Sequence, residues 1–260
     1  MVTFQELVSG LKALGLADGD VVLVHCSFKS FGGVEGGPQT VVDAIMNVLG
    51  EDGTLIVPTF NFKDFDLDFT VLNQGGKPFD VKNTPSAMGI ITELVRLHPK
   101  SRRILHPIHS FAVLGKLSDE LGGLRYKSSF GRDSLFGKLM DLDGKILIFG
   151  VPFNKCLTFF HHVEEMEGCD YRHLREFVFL VKDEHGKVYE DTFSMLTRDP
   201  GIINEVAPMG EVLEREGIVR ITKIGDATAK FMRARDVYRI TAREMKKNPF
   251  LLHQVEQNKE

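Results

Sequence analysis

The sequence predicts a three-layer α/β/α fold, with helices on both faces of a mixed, largely parallel sheet, and three observations carry that reading. Apolar runs such as Val21-Val22-Leu23-Val24-His25 lack polar alternation, as strands buried on both faces do. Segments with helical spacing of apolar residues stand between these runs. Glycine-rich or Asp-Gly turns separate the two kinds of segment.

Taken in order, residues 3–15 carry Leu7, Leu11 and Leu14 at helical spacing, with Gly15 as the stop. Asp18-Gly19-Asp20 turns the chain into the first strand. A loop with Gly32-Gly33 and Gly36-Gly37 follows, then a helix over Thr40 to Leu49 and a second buried strand over Thr54 to Pro58. That is a βαβ unit with a glycine-rich first turn. Further helices are expected over Ala87–Arg96, Ser134–Met140, Thr158–Glu167, Ile203–Gly217 and Ala227–Lys247. Further strands are expected over His109–Leu114, Lys145–Gly150 and Phe177–Val181. There is no repeat of fixed period and no Pro/Gly/Ser linker, so residues 1–260 read as one domain. The irregular piece is 60–84, long, polar and aromatic; a loop of that length in a compact domain is usually functional, here a candidate substrate wall.

The composition excludes several classes. The chain has 260 residues, of which 43% are hydrophobic and 26% charged, enough to bury a sizeable core. A formal charge of −4 with scattered basic residues offers no face for nucleic acid. Three cysteines, Cys26, Cys156 and Cys169, make no disulfide framework and point to a reducing compartment. No apolar run is long enough to span a bilayer and no signal peptide is visible at Met1, so a soluble cytoplasmic protein is expected.

Three segments carry chemistry. The first, His25 to Gly37, follows a strand and precedes a helix, where α/β sheets bind anionic ligands. It matches neither the dinucleotide nor the P-loop fingerprint, and a plain loop with turn glycines explains it as well. His25 and Cys26 are adjacent on a strand and point to opposite faces, so they make no nucleophile–base pair. The second segment is His106-Pro107-Ile108-His109-Ser110. Pro107 forces an extended chain that separates the two histidines; Ser110 opens the next strand, suited to donate to a carbonyl or phosphate.

The third is Phe159-Phe160-His161-His162-Val163-Glu164-Glu165. On a helix, His161 and Glu164 share a face, so the carboxylate can orient the imidazole and raise its basicity. His162 and Glu165 form an equivalent pair one step round. Spacing does not choose between them, and a solvated polar face stands against both.

An ordered series of motifs resembles the aminoglycoside 3-N-acetyltransferase family over almost the whole chain. It runs from Val24-His25-Cys26-Ser27-Phe28 and Val34-Glu35-Gly36-Gly37, through Gly53-Thr54-Leu55-Ile56-Val57-Pro58-Thr59-Phe60, to Phe79-Asp80 and Asn83-Thr84-Pro85-Ser86-Ala87-Met88-Gly89. It continues with Ser101-Arg102-Arg103, His106-Pro107, Ser110, Ile148-Phe149-Gly150 and Thr158…His161-x-x-Glu164, and ends with Tyr171-Arg172 and Lys223-Ile224-Gly225-Asp226-Ala227. Relatives commonly show Ser-Pro where this chain has Ser134-Leu135.

The resemblance implies transfer of acetyl from acetyl-CoA to an amine of an aminoglycoside or other amino sugar, without a metal. On that alignment His161 is the general base and Glu164 orients it. The same resemblance assigns the pantetheine arm to the first strand-loop and its neighbours: His25, Ser27, Phe28, Ser30, Val34, Glu35, Gly36, Ser110 and Phe111. A polycationic acceptor calls for acidic residues, and Asp64, Asp66, Asp68 and Asp80 are candidates beside the plain alternative of a solvated acidic loop. The partners expected are acetyl-CoA and a small-molecule amine, with a homodimer possible. Two rival readings are a metal-dependent hydrolase using His106, His109, His161 and His162, and a non-catalytic CoA- or nucleotide-binding module.

Overall fold

The computed structural model describes residues 1–62, 76–156 and 158–255. Helix α1 (Phe4–Leu14) starts on a capping box, in which Thr3 accepts from the Glu6 amide while the Glu6 carboxylate reaches back to the Thr3 amide. Strand β1 (Val21–Cys26) leads through the single turn Phe28–Phe31 to α2 (Pro38–Leu49), which opens with proline at its first position. Next come β2 (Thr54–Pro58), β3 (Phe79–Asp80), α3 (Ile90–Leu97), β4 (Arg102–Arg103) and β5 (Phe111–Gly115). They are followed by α4 (Ser118–Gly122), α5 (Leu135–Asp141), β6 (Lys145–Phe149), α6 (Phe159–Glu167), β7 (Arg172–Lys182) and β8 (Val188–Arg198). The chain closes with β9 (Ile202–Asn204), α7 (Ala207–Arg215), β10 (Arg220–Ile224), β11 (Ala227–Arg233), α8 (Ala234–Lys247) and β12 (His253–Val255).

The central sheet has the order β10-β11-β6-β1-β2-β5-β4. Its centre, β6-β1-β2, is parallel, and the flanking pairs are antiparallel. Following those pairings, β10, β6, β1, β2 and β4 run one way, and only β11 and β5 run the other. The expected mixed, largely parallel α/β sheet is what the chain forms. The alternating residues of each central strand feed two different cores. Val22, Val24, Leu55 and Val57 pack under α1, α2 and α3, while Leu23, Ile56, Ile146 and Ile148 pack against α5, α6, α8 and the β7–β8 hairpin. Each fully buried aliphatic side chain contributes roughly 1.5–3 kcal/mol, which is why these strands tolerate no polar alternation.

Two expected helices are corrected. Ala227–Lys247 is not one helix: Ala227–Arg233 is β11, paired to β6 and β10, and the helix starts at Ala234. Ala, Lys, Met and Arg favour helix, but Ala227, Ala229 and Phe231 are buried at a period of two, and burial in the sheet outweighs that preference. A two-residue turn, Gly225-Asp226, with Gly225 at φ +60°, forces the hairpin. Likewise Ile203–Gly217 divides into β9 and the shorter α7, which carries Pro208 in its first turn. The strand expected over Phe177–Val181 extends to eleven residues and pairs along its whole length with β8, which the sequence reading missed.

Parallel strands deliver their loops to one edge. The carboxyl ends of β1, β2 and β6 lie there, with the Ser27–Gly37 loop, Thr59–Phe62 and the turn before α6. Because β5 runs opposite to β2 and pairs Phe111 with Pro58, its entry residues His109 and Ser110 are at the same edge. Ligands of α/β sheets sit at this edge.

Candidate active site

Helix α6 presents its two His/Glu pairs to different surroundings. His161 Nδ1 lies 2.6 Å from Glu164 Oε2, and the Tyr171 hydroxyl donates to Glu164 Oε1 at 2.6 Å. The Arg172 guanidinium completes the cage, with Nε 3.0 Å from Oε2, and itself donates to Asn204 Oδ1 on β9. The Glu164 side chain is fully buried, whereas 15% of the His161 side chain meets solvent. A buried carboxylate is costly unless paired and hydrogen-bonded. Burial alone would raise the Glu164 carboxyl, but the His161 ring, Arg172 and the Tyr171 hydroxyl prevail and hold it at about 2. Glu164 is therefore an anion at neutral pH. His161 is lowered from 6.5, first by burial and then by Arg172, against the upward pull of Glu164. A neutral imidazole that donates from Nδ1 to a carboxylate carries its lone pair on Nε2.

The second pair does structural work. His162 Nδ1 donates to the Phe130 carbonyl at 2.5 Å, and the Ser128 hydroxyl donates to Glu165 Oε1 at 3.0 Å. Both bonds pin the loop before α5 to the helix. The Phe130 ring then stands edge-on to His161 at 5.2 Å and lies 4.6 Å from the His109 ring. The geometry thus separates two pairs that spacing left equivalent.

On the far side of Phe130, the extended chain expected at Pro107 is corrected: the chain bends over Pro107–His109, His106 Nδ1 accepts the His109 amide at 2.9 Å, and the two rings lie 5.8 Å apart rather than separated. His109 Nδ1 meets the Ser129 hydroxyl at 2.8 Å, and its ring is edge-on to Phe60 and Phe62. Burial, and then the neighbouring His106 and His161, push His109 well below 6.5. Ser110 is fully buried and donates to the Thr59 carbonyl at 2.9 Å, while Arg103 Nη2 donates to the same carbonyl and to the Ser110 hydroxyl. Burial, and then the nearby Arg96, lower the Arg103 guanidinium to about 9.

A family model described as aminoglycoside 3-N-acetyltransferase matches residues 23–246. The chain belongs to the aminoglycoside 3-N-acetyltransferase family. It is similar to aminoglycoside N(3)-acetyltransferase VII of Streptomyces paromomycinus, with 28% identity over 256 residues, covering 91% of this chain and 88% of the relative. Among solved structures, aminoglycoside acetyltransferase AAC(3)-Xa superposes with a TM-score of 0.82 at 25% identity, covering 95% of this chain and 93% of that one. AAC-IIIb, solved in a binary complex with CoASH, shares the fold with a TM-score of 0.79 at 22% identity, over 94% of this chain and 96% of that one.

The other sequence-selected residues of this family member fall as follows. His25 is buried at the end of β1 with Nε2 unpartnered, and burial lowers it to about 4. The Ser27 amide donates to the Phe149 carbonyl and opens the turn containing Phe28; Ser30 Oγ returns to the Ser27 carbonyl at 2.6 Å. Val34 is buried and bridged to Val2, Glu35 bonds the Val2 carbonyl through its amide, and Gly36 sits at φ +73°. These residues form one loop at the carboxyl edge, ahead of the α2 N-terminus, which has no side-chain cap. Phe111 packs into the core, edge-on to Phe60 and Phe136. Asp80 is already engaged: it accepts from Asn83 and Lys82 in its own turn and pairs with Lys182 at 3.0 Å. Asp64, Asp66 and Asp68 lie outside the described residues. Among the described residues no three His, Cys, Asp or Glu side chains converge as metal ligands: His106 and His109 share the Ser129 hydroxyl, His161 faces Glu164 and His162 faces the Phe130 carbonyl.

Sequence reasoning missed the partners of Glu164. Tyr171 and Arg172 stand in the motif series without a role, and nothing in their spacing ties them to α6. Gly168 at φ +81° is the one local signal, since it ends α6 three residues before Tyr171.

Proposed function

We propose that this chain transfers acetyl from acetyl-CoA to an amine of an aminoglycoside or related amino sugar, with His161 as general base and Glu164 as its orienting carboxylate. The observation that carries the reading is the buried Tyr171–Glu164–His161 chain with Arg172 beside it, in a member of a family described by that activity. Nδ1 of His161 is committed to Glu164, so Nε2 takes the proton from the attacking amine. The amine nitrogen bonds to the thioester carbonyl carbon, a tetrahedral oxyanion forms, and its collapse breaks the C–S bond to release the CoA thiolate. That thiolate takes up the proton His161 removed. A positioned base contributes about 10²–10⁴-fold.

Ser110, read from the sequence as suited to donate to a bound carbonyl or phosphate, has its hydroxyl spent on the Thr59 carbonyl. In this reading Ser110 and Arg103 stiffen the strand entry that carries His109 into the site. The glycine loop from His25 to Gly36 is proposed to hold the CoA arm, and the whole of 1–260 to act as one catalytic domain. Three free cysteines suit a reducing compartment such as the cytoplasm. Among the described residues no helix is long and apolar enough to cross a membrane.

The test is release of CoA thiol from acetyl-CoA with a panel of aminoglycosides and simple amino sugars. Amine-dependent release is expected from at least one member. No amine-dependent turnover anywhere in the panel would overturn the activity, and turnover with amino sugars alone would confine it to that class.

A further inference from the structure

The tyrosine that donates to the carboxylate behind His161 is touched by a residue beyond those that the family model matches. Strand β12 pairs antiparallel to β9, with His253 opposite Asn204. It carries the His253 ring onto Tyr171, centroid to centroid 3.5 Å and tilted by 35°. His253 is 4% exposed, and neither ring nitrogen has a hydrogen-bond partner. An imidazole buried without a bond from either nitrogen loses solvation without return, so fold stability alone would favour an apolar ring there. What the ring touches is the tyrosine that donates to Glu164. The strand that brings it also abuts Asn204, which takes the Arg172 guanidinium.

We propose that His253 is a positioning residue: its ring, stacked on Tyr171, holds the tyrosine hydroxyl on Glu164, so that the C-terminal strand sets the carboxylate that orients His161. The proposal rests on the reading of His161 as base. The groups facing Glu164 are His161 on its own helix, Tyr171 and Arg172 at the start of β7, and His253 on β12; Cys169 and Arg198 act on the cluster from nearby. Since the ring nitrogens bond nothing, the contribution is one of shape and stacking, and a phenyl ring should supply it.

The direction of the effect follows from the charges. Tyr171 spreads part of the Glu164 charge. Without that donor more of the charge acts on His161, and the imidazole holds its proton to higher pH. The experiment uses the full chain with acetyl-CoA and the amine found in the panel, and compares His253→Ala, His253→Phe and Tyr171→Phe. His253→Ala is expected to lower kcat by about tenfold, to leave the KM for acetyl-CoA unchanged, and to move the acid limb of kcat/KM to higher pH. Tyr171→Phe should move that limb the same way, and His253→Phe should restore wild-type values.

An NMR titration of the His161 ring in the same variants reads the effect without turnover. A raised His161 pKa in His253→Ala supports the proposal even if the ring proves not to be the base. A wild-type pH limb and titration in His253→Ala, or a His253→Phe variant as impaired as His253→Ala, overturns it. If His253→Ala does not fold, Tyr171→Phe and His253→Phe decide by the same two readouts. Failure of the base reading shows separately, as wild-type turnover in His161→Ala.

Discussion

At the scale of the residue, the candidate site is built on one anion with two hydrogen-bond donors and one guanidinium ion pair. Glu164 sits in a position where a carboxylate is expensive, and His161, Tyr171 and Arg172 each offset part of that cost. The electrostatics fix a pH dependence. Burial and Arg172 lower His161 from 6.5, so the ring is neutral at pH 7 and protonates only on acidification. The kcat/KM profile should therefore be flat near neutrality and fall on the acid side with an apparent pKa below 6.5. Glu164→Gln removes the charge that lifts the His161 pKa and leaves at most a neutral acceptor for Nδ1. Its acid limb should move lower still while kcat/KM drops by about 10–100-fold. A Glu164→Gln variant with the wild-type limb would mean that the carboxylate does not act on the ring.

At the scale of the element, α6 works on two sides. Its His161 side enters the site, and its His162 side holds the loop that places Phe130 between His161 and His109. His162→Ala leaves the buried Phe130 carbonyl without its donor. It should cost about 1–3 kcal/mol, read as a lower urea midpoint with unchanged m-value. The β10–β11 turn makes a separate demand. Gly225 has φ +60°, and a Cβ there would approach Val2 Cγ2 to 2.3 Å and the Phe31 carbonyl to 2.8 Å. Gly225→Ala should destabilise by more than about 1 kcal/mol in the same titration.

These elements also show what the sequence could convey. The helix over 159–167 was legible because Phe159, Phe160 and Val163 mark a buried stripe beside charged neighbours. Spacing did not show which His/Glu pair is built into the buried cluster, and only the resemblance favoured His161; the difference lies in Phe130, 31 residues upstream of His161, and in Tyr171 beyond a glycine turn. The Ala227–Arg233 strand was misread because its residues favour helix, and only pairing with Phe149 and its neighbours makes it a strand.

At the scale of the whole molecule, the central sheet gathers His25, Ser27, His109 and Ser110 at one edge, and the burial there has a thermodynamic consequence. His25 and His106 are held neutral, lowered by burial to about 4 and about 3, with His109 also well below 6.5. Unfolded, each would bind a proton near 6.5, so the unfolded state takes up more protons as the pH falls. The stability these groups contribute is complete above 6.5 and is lost between 6.5 and their folded values. Each loses about 1.4 kcal/mol per pH unit in that window. Urea midpoints should fall steadily from pH 7 to pH 5, and His106→Gln should lessen the slope; a flat midpoint would contradict the neutral burial of these rings. The layer order and parallel centre were readable from the strands buried on both faces. The β7–β8 hairpin was read only in its Phe177–Val181 part, because its half-exposed strands carry polar residues, and the β9–β12 pair was not read, because its strands are distant in sequence.

The most direct measurement is amine-dependent release of CoA by His161→Ala beside wild type, with acetyl-CoA binding followed by calorimetry. A kcat/KM lower by about 10²–10⁴-fold is expected, with acetyl-CoA binding unchanged. Wild-type turnover in His161→Ala would contradict it.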